Sequence, residues 1–470
     1  MSVASGASRI EVRSPYSGQV VGAVPLTDAA ALELAIDAAE VGAGAMAALP
    51  AFRRSEILER AARAIEAGVG ELARIITAEQ GKHLAEAAAE AERIPGIVRL
   101  CAEEARRISG EVLPMDAAPV GEGRFGYTVP APTGLVAAIT PFNYPAILVV
   151  HKVGPALAAG NAVLLKPASA TPLTASFLVE RFVGAGLPRG ALQLVAGSGS
   201  SLGAALCADE RVRKISFTGS VDAGAAIARA AGVKRLTCEL GSNAALVVLP
   251  DADLDRAAEA IAFSGFTNAG QNCVSTQRVL VHESRVDELL ARLLPLVDAL
   301  VTGDPADAST SLSPVIDESS AERVAAWIAE AGSVGGAVLR GGERDGTVVA
   351  PAVVLQPPVE ARIWREELFG PGVAVRSFAD DDEALAGANS TRYGLAMSVM
   401  TSDLDRAMRF AARLRAGIVH VNPPRGATWR ADHMPWGGLA DSGFGKEGVR
   451  YAVRDMVEDR LVVIHPGPGA

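Results

Sequence analysis

Aromatic residues make up only 4% of this 470-residue chain, and cysteine is scarcer still, with Cys101, Cys207, Cys238 and Cys273 the full complement. Four thiols spread over so long a sequence make no disulfide framework, and no two have metal-ligand spacing. They suit a reducing cytoplasm, and no metal is expected. Basic charge is also short: 44 Lys and Arg against 54 Asp and Glu give a net charge of -10 and a pI near 5.3. That balance offers no footprint for nucleic acid or for an anionic membrane, and neither partner is expected. His151, Lys152, Asn161 and Lys166 interrupt the longest apolar stretches before they could span a bilayer. Residues 1–15 lack the charged-then-apolar pattern of a secretory signal.

What is present is apolar mass. At 49% hydrophobic, a chain of this length exceeds a single core and predicts two or three domains. From Thr27 to Ile108 apolar positions recur at helical spacing, in Ala30 to Ala39, Arg54 to Ala67 and Leu72 to Gln80, which predicts a helical layer. Beyond Gly110 the signals become extended. Phe125, Tyr127 and Val129 share one face of a short strand, and Gly134 to Thr140 reads as a buried one. Ala162 to Lys166, Ala191 to Val195 and Lys214 to Phe217 each follow a helical stretch, the rhythm of a doubly wound, mainly parallel sheet. A second series follows Gly241, at Ala244 to Leu249, Val279 to His282, Val353 to Leu355, Val373 to Phe378 and Ile418 to Asn422. The strand-like C-terminal run Asp459 to His465 has no evident partner nearby in sequence.

The chemistry centres on Cys273, in the run Gly270-Gln271-Asn272-Cys273-Val274-Ser275. A lone cysteine is more often a small buried hydrophobe than a nucleophile. Here Gly270 and the polar Gln271-Asn272 pair mark a loop, where a thiol is reachable. Glu239 supplies a base and Asn143 an amide donor, so the three side chains together suit attack on a carbonyl, stabilisation of the oxyanion and admission of water. The six histidines stand in no triad spacing, and only His433 lies near the expected mouth. Gly197 to Gly203 carries its last glycine one place too late for a dinucleotide fingerprint and reads as a turn. Phe217-Thr218-Gly219-Ser220 is the better phosphate candidate, because it closes a strand and opens a helix whose amides could meet a pyrophosphate.

Asn143, Lys166-Pro167-Ala168-Ser169, Phe217 to Ser220, Glu239-Leu240-Gly241, Gly270 to Cys273, Glu366-Glu367-Leu368-Phe369-Gly370-Pro371 and Pro435-Trp436-Gly437-Gly438 follow one another as in the NAD(P)-dependent aldehyde dehydrogenase superfamily, which the chain resembles over nearly its whole length. The resemblance implies an α/β fold of two doubly wound domains with a small β oligomerisation arm. Residues 1–112 and 134–240 would bind the dinucleotide, 241–452 would form the catalytic domain, and 113–133 with 453–470 would form the arm, pairing with a neighbouring subunit in a dimer or tetramer. It implies oxidation of an aldehyde to a carboxylate through a thiohemiacetal and a thioester on Cys273, with Glu239 as base and Asn143 beside the Cys273 N–H as oxyanion donors.

By the same resemblance NAD or NADP is held by Lys166, Ser169, Gly219, Ser220, Glu367 and Phe369, with Thr140 and Leu240. Many NAD-preferring members carry a glutamate where this chain has Ser169. A neutral hydroxyl there removes repulsion of a 2'-phosphate, so NADP should be tolerated. The segment Pro423 to Met434 would line the substrate mouth. Its form Trp429-Arg430-Ala431-Asp432-His433-Met434-Pro435 resembles the branch acting on lactaldehyde, glyceraldehyde phosphate, phosphonoacetaldehyde and similar small polar aldehydes. Arg425, Trp429 and Arg430 are the substrate candidates; the competing expectation is that the two arginines merely pair with Asp432 or Asp441. A CoA-acylating relative would generally lack the matching glutamate, and a non-catalytic protein on this fold should have lost Cys273, Glu239 or Asn143.

Overall fold

The computed structural model describes residues 8–465, so the first seven residues assigned to the dinucleotide-binding domain and the last five of the arm lie outside the described residues. The predicted helical layer consists of Ala29–Ala48, Ala51–Glu66, Val69–Gln80 and Leu84–Ala105. Asp28 caps the first helix by accepting the Ala31 N–H at 2.8 Å, and Gly81, with φ of 80°, ends the third in the left-handed conformation that glycine tolerates.

These helices cover a six-stranded sheet in the order Gly443–Phe444, Arg235–Glu239, Val212–Thr218, Leu135–Ile139, Ala162–Lys166, Leu192–Leu194. All its neighbours are parallel except the short edge strand Gly443–Phe444. Leu135–Ile139 and Ala162–Lys166 are buried throughout, which is why they read as continuous apolar runs rather than alternating ones. The second sheet has seven strands in the order Ala337–Arg340, Ala352–Leu355, Gly372–Phe378, Thr276–His282, Ala244–Val248, Ala396–Met400, Ile418–Val421. It too is parallel apart from its first pair. Ala396–Met400, the run AMSVM, escaped the sequence reading because Met, Ser and Ala lack the β-branched signature, yet every residue of it is buried.

One open sequence reading is completed and one expectation changes. The C-terminal strand, Val457–Ile464, has a partner within its own chain: it pairs antiparallel with Phe125–Pro132, from Val457 opposite Pro132 to Ile464 opposite Phe125. More than three hundred residues separate the two strands, so no local pattern could have revealed the register. Gly199–Gly203, read as a turn, forms one wide helical turn that runs into the short helix Ala204–Ala208, with Ser198 accepting the Ser201 N–H at 3.2 Å.

Candidate active site

Parallel sheets present their strand ends to ligands, and here four adjacent ends meet. Ile139 stands opposite Lys166 on one side and Phe217 on the other, and Thr218 stands opposite Glu239. Thr140, Lys166, Gly219 and Glu239 therefore lie along one carboxyl edge, as the sequence implied. A cavity of about 460 Å³ opens in front of it, lined by Asn143, Gly219, Ser220, Leu240, Cys273, Glu367 and Phe369 among others. Thr140, Lys166, Ser169 and Glu239 do not line this cavity. Burial pulls Lys166 below the usual lysine range, and its ammonium donates to the Pro167 carbonyl at 3.3 Å; exposed Ser169 donates to the Gly197 carbonyl at 3.1 Å.

Several features of this edge suit a dinucleotide. The buried hydroxyls of Thr140 and Thr218 have no protein partner. The helix Val221–Ala231 begins behind Gly219 with its N-terminus toward the cavity, and Ser220 Oγ accepts the Ala223 N–H at 3.3 Å while its own proton stays free to donate. A Cβ on Gly241 would come within 2.3 Å of Glu367 Oε2, so the glycine admits that carboxylate. Glu367 accepts the Ser242 N–H at 2.8 Å, and burial raises it to about 7. Phe369, held at φ of 48°, meets the Phe142 ring edge-on at 5.8 Å. Glu366, given no cofactor role, pairs with Arg392 at 3.0 Å.

Cys273 sits beyond a strained loop. Asn268, Ala269 and Gly270 have φ of 51°, 54° and 69°, a left-handed run that costs each of the two non-glycine residues about 1–2 kcal/mol. A Cβ on Gly270 would meet the Gly370 oxygen at 2.0 Å, so only glycine fits there. Burial pushes the thiol up to about 12, the Arg430 charge lowers it, and Glu367 and Glu239 raise it further. Asn143 Nδ2 donates to the Gln271 carbonyl at 2.9 Å, which brings the amide against the thiol loop and leaves its second N–H. Its Oδ1 is buried with no partner.

Glu239 ends its strand in full burial, with neither carboxylate oxygen bonded to protein. A Cβ on Gly437 would lie 2.8 Å from its Oε1. Its pKa is driven well above the usual carboxylate range, first by burial and then by Glu447, against the charges of Lys152, Lys446 and Arg430. No hydrogen bond joins Glu239 to Cys273 here; the two interact through their charges. Sequence reasoning missed Lys152 and Glu447, which form a buried ion pair, with Lys152 also 3.2 Å from Ser216 Oγ. The signal was available, because Lys152 is a charge inside an otherwise apolar helix, Ile147–Ala159, and a buried charge demands a partner.

Cys273 lines the first cavity, and its chain neighbours line a second. Asn272 and Val274 face this second space of about 310 Å³, lined also by Tyr144, Arg93, Arg425, Trp429 and Arg430. The structure thus brings all three substrate candidates to one wall. The expected pairing of the arginines with Asp432 or Asp441 is not found. Asp432 is taken by Arg93 at 2.5 Å and by His151 at 3.3 Å, and Asp441 by Arg392 at 3.6 Å. Arg425 and Arg430 instead lie over Phe263 and Trp436, at 4.9 and 4.6 Å, and make no ion pair among the described residues.

The profile of the aldehyde dehydrogenase family matches residues 2–462. The chain belongs to the aldehyde dehydrogenase family. It is 41% identical to the 3-sulfolactaldehyde dehydrogenase of Priestia aryabhattai over 88% of this chain and 86% of that one. It is also 41% identical to aspartate-semialdehyde dehydrogenase 1 of Pseudomonas canavaninivorans, over 97% and 96%. The crystal structure of glyceraldehyde-3-phosphate dehydrogenase GapN from Methanocaldococcus jannaschii, complexed with NADP, superposes with a TM-score of 0.93 at 34% identity, covering 97% and 98%. The chain is accordingly an oxidoreductase that oxidises aldehydes with NAD or NADP, on two α/β domains.

Proposed function

We propose that this aldehyde dehydrogenase acts on a small aldehyde bearing an anionic or hydroxylated tail, with Cys273 as nucleophile. The observation that carries the reading is the pair of unlike cavities at the Cys273 loop, one lined by Cys273 with several cofactor candidates and the other by its neighbours Asn272 and Val274 with Arg425 and Arg430, which have no carboxylate partner among the described residues. The names of the sulfolactaldehyde, semialdehyde and glyceraldehyde-phosphate relatives, all of which describe polar aldehydes, support the tail.

A thiol near 12 needs a base and a nearby cation to react at neutral pH. Arg430 supplies the cation. Glu239, with its raised affinity for a proton and no protein partner on its carboxylate, takes the thiol proton, relayed by water because no hydrogen bond joins it to Cys273. The thiolate sulfur then bonds to the aldehyde carbon, and the oxyanion meets the free Asn143 N–H and the Cys273 backbone N–H. The bound NAD or NADP would supply the acceptor for the hydride that leaves this carbon, held at Gly219, Ser220, Glu367 and Phe369, with Lys166, Ser169, Thr140 and Leu240 along the same edge. After Glu239 has released this first proton to solvent, it takes a proton from the water that cleaves the thioester and passes it to the departing Cys273 sulfur, which restores the thiol; the carboxylic acid formed ionises to the carboxylate. Presence of Glu239 favours water over CoA as the acyl acceptor. Cytoplasmic location fits the unpaired thiols, and no described helix is long and apolar enough to cross a membrane.

Self-association through the arm belongs to the same reading. Phe125, Val129 and Ile464 expose apolar surface on one face of the paired strands Phe125–Pro132 and Val457–Ile464, a face suited to a second copy. The deciding experiment is an aldehyde panel assayed with both cofactors on wild type and Cys273→Ala. Tailed anionic aldehydes should give the highest kcat/KM, and the variant should lose oxidation while binding cofactor normally. Substantial turnover by Cys273→Ala would overturn the assignment, whereas a mild effect is expected of the same change at buried Cys238.

A further inference from the structure

The helix Leu84–Ala105 carries Glu86, Glu90 and Arg93 at intervals of four and three, so all three fall on one helix face. Glu90 and Arg93 have evident tasks. Glu90 holds Lys82 at 2.5 Å and accepts the Ala146 and Ile147 N–H groups at 3.0 and 3.1 Å, while Arg93 holds Asp432. Glu86 does something different: it reaches across to the loop that carries the thiol. The Asn268 N–H donates to both of its oxygens, at 3.1 and 2.9 Å, and the Thr267 hydroxyl donates to Oε1.

Asn268 is the first residue of the left-handed run, and Ala269, fully buried, is the second. Asn268 tolerates that conformation but the Ala269 side chain does not favour it, so contacts from outside the run help to hold it. The loop has other ties. Gln271 Oε1 accepts the Ile316 N–H at 2.8 Å, and Asn272 Nδ2 donates to the Tyr144 hydroxyl at 3.2 Å. Both act after the left-handed run; at its start the Asn268 side chain accepts from Gln80 Nε2 at 3.0 Å and donates to the Asn143 carbonyl at 3.0 Å, and the Glu86 carboxylate is the charged acceptor of the backbone N–H there. Burial opposes that charge, but contacts with His83 and Thr267 and the charge of Lys82 bring Glu86 below the usual carboxylate range, so it is ionised at neutral pH.

We propose that Glu86 is a positioning residue for Cys273, holding the Asn268–Gly270 segment in the left-handed conformation that aims the thiol at the bound aldehyde. The inference rests on the reading of Cys273 as nucleophile. Without Glu86 the buried Asn268 N–H loses both acceptors and the run relaxes toward ordinary φ, rotating the thiol away from the cavity that it lines.

The test uses the full-length enzyme and two readouts, steady-state kcat/KM and the second-order rate of Cys273 alkylation by iodoacetamide. Displacing a reacting group by about 1 Å costs on the order of 100-fold, so Glu86→Ala should lower both rates by about that factor, with cofactor Kd changed less than about twofold. Glu86→Gln keeps one carbonyl oxygen for the Asn268 N–H and should recover most of the loss, remaining within about tenfold of wild type. Should Glu86→Ala fail to fold, the alkylation rate of Glu86→Gln and of Thr267→Val decides, since each removes part of the grip and should slow alkylation several-fold. Alkylation within about twofold of wild type in every folded Glu86 variant would overturn the proposal, as would a folded Gln variant no faster than Ala. The two readings fail separately: alkylation measures where the thiol stands without any turnover, and Cys273→Ala tests whether that thiol does the chemistry.

Discussion

The two cavities at the Cys273 loop are built by opposite means. The cofactor side is made of strand ends and the turns after them, where backbone register alone brings Gly219, Glu239 and Leu240 together. The substrate side has no sheet edge. It is assembled from the helix Leu84–Ala105, the start of Ile147–Ala159 and the loop from Arg425 to Arg430, held by side-chain contacts such as Arg93 with Asp432. Both linings mix charges, but acids outnumber bases on the first side (Asp222, Glu366 and Glu367 against Arg323 and Arg392) and bases outnumber acids on the second (Lys82, Arg93, Arg425 and Arg430 against Glu86 and Glu90). A rigid edge can serve one invariant cofactor, while a wall of exchangeable side chains can be retuned for different aldehydes without disturbing the sheet.

The largest effect that would sharpen this contrast lies at the boundary. If Glu239 is needed mainly for thioester hydrolysis, Glu239→Gln should give a burst of reduced cofactor and then stall, with steady turnover down by about 10²–10⁴. Loss of the burst as well would assign Glu239 to thiol activation too, and unchanged turnover would remove it from the mechanism.

Next come the two arginines, which the structure separates. Arg425 faces the substrate cavity over Phe263, whereas Arg430 also depresses the Cys273 pKa. Arg425→Leu should raise KM for anionic aldehydes by about 10-fold, the loss of one charged contact of roughly 1.5 kcal/mol, and leave propanal untouched. Arg430→Leu should do the same and also shift the rising limb of the kcat/KM pH profile to higher pH for every substrate. Equal losses with propanal and no pH shift would mean that the wall had collapsed.

On the cofactor side the expected effects are smaller. Ser169→Glu places a carboxylate where a 2'-phosphate would approach, and should shift the kcat/KM ratio toward NAD by about 10-fold. A wild type unable to use NADP would defeat that argument.

Glu367 gives the smallest effect, read in stability. Its carboxyl rises from an ordinary 4.5 to about 7 in the folded chain, so folding favours the protonated form. The stability this group contributes is therefore greatest below 4.5 and is lost as pH rises from 4.5 to 7, by roughly 3.5 kcal/mol at most. Glu367→Gln escapes this loss. Its Tm should exceed that of wild type by a few degrees at pH 8 and by little at pH 4.5; the reverse ordering would show that the carboxylate is stabilised in place.

Much of this site was readable beforehand, for physical reasons. Buried parallel strands such as Ala162–Lys166 betray themselves as unbroken apolar runs, and the residue that follows such a run stands at a ligand-facing edge. Glu90 and Lys152 were overlooked although each is a charge on an apolar helix face. Glu86 left no comparable mark, since an acid in the first turn of a helix is ordinary.

The sequence by itself determined the layered α/β architecture and the loop setting of Cys273, because both follow from local periodicity and turn chemistry, while the candidate residues of the cofactor edge were implied by the family resemblance. Only the tertiary structure decided that Val457–Ile464 pairs with Phe125–Pro132, that Asp432 is claimed by Arg93 and His151 so that Arg425 and Arg430 make no ion pair, and that Glu86 grips the thiol loop. Each of those links joins residues more than a hundred positions apart. The energy of such a contact depends on distance and burial in space, and neither is written in the spacing of residues along a chain.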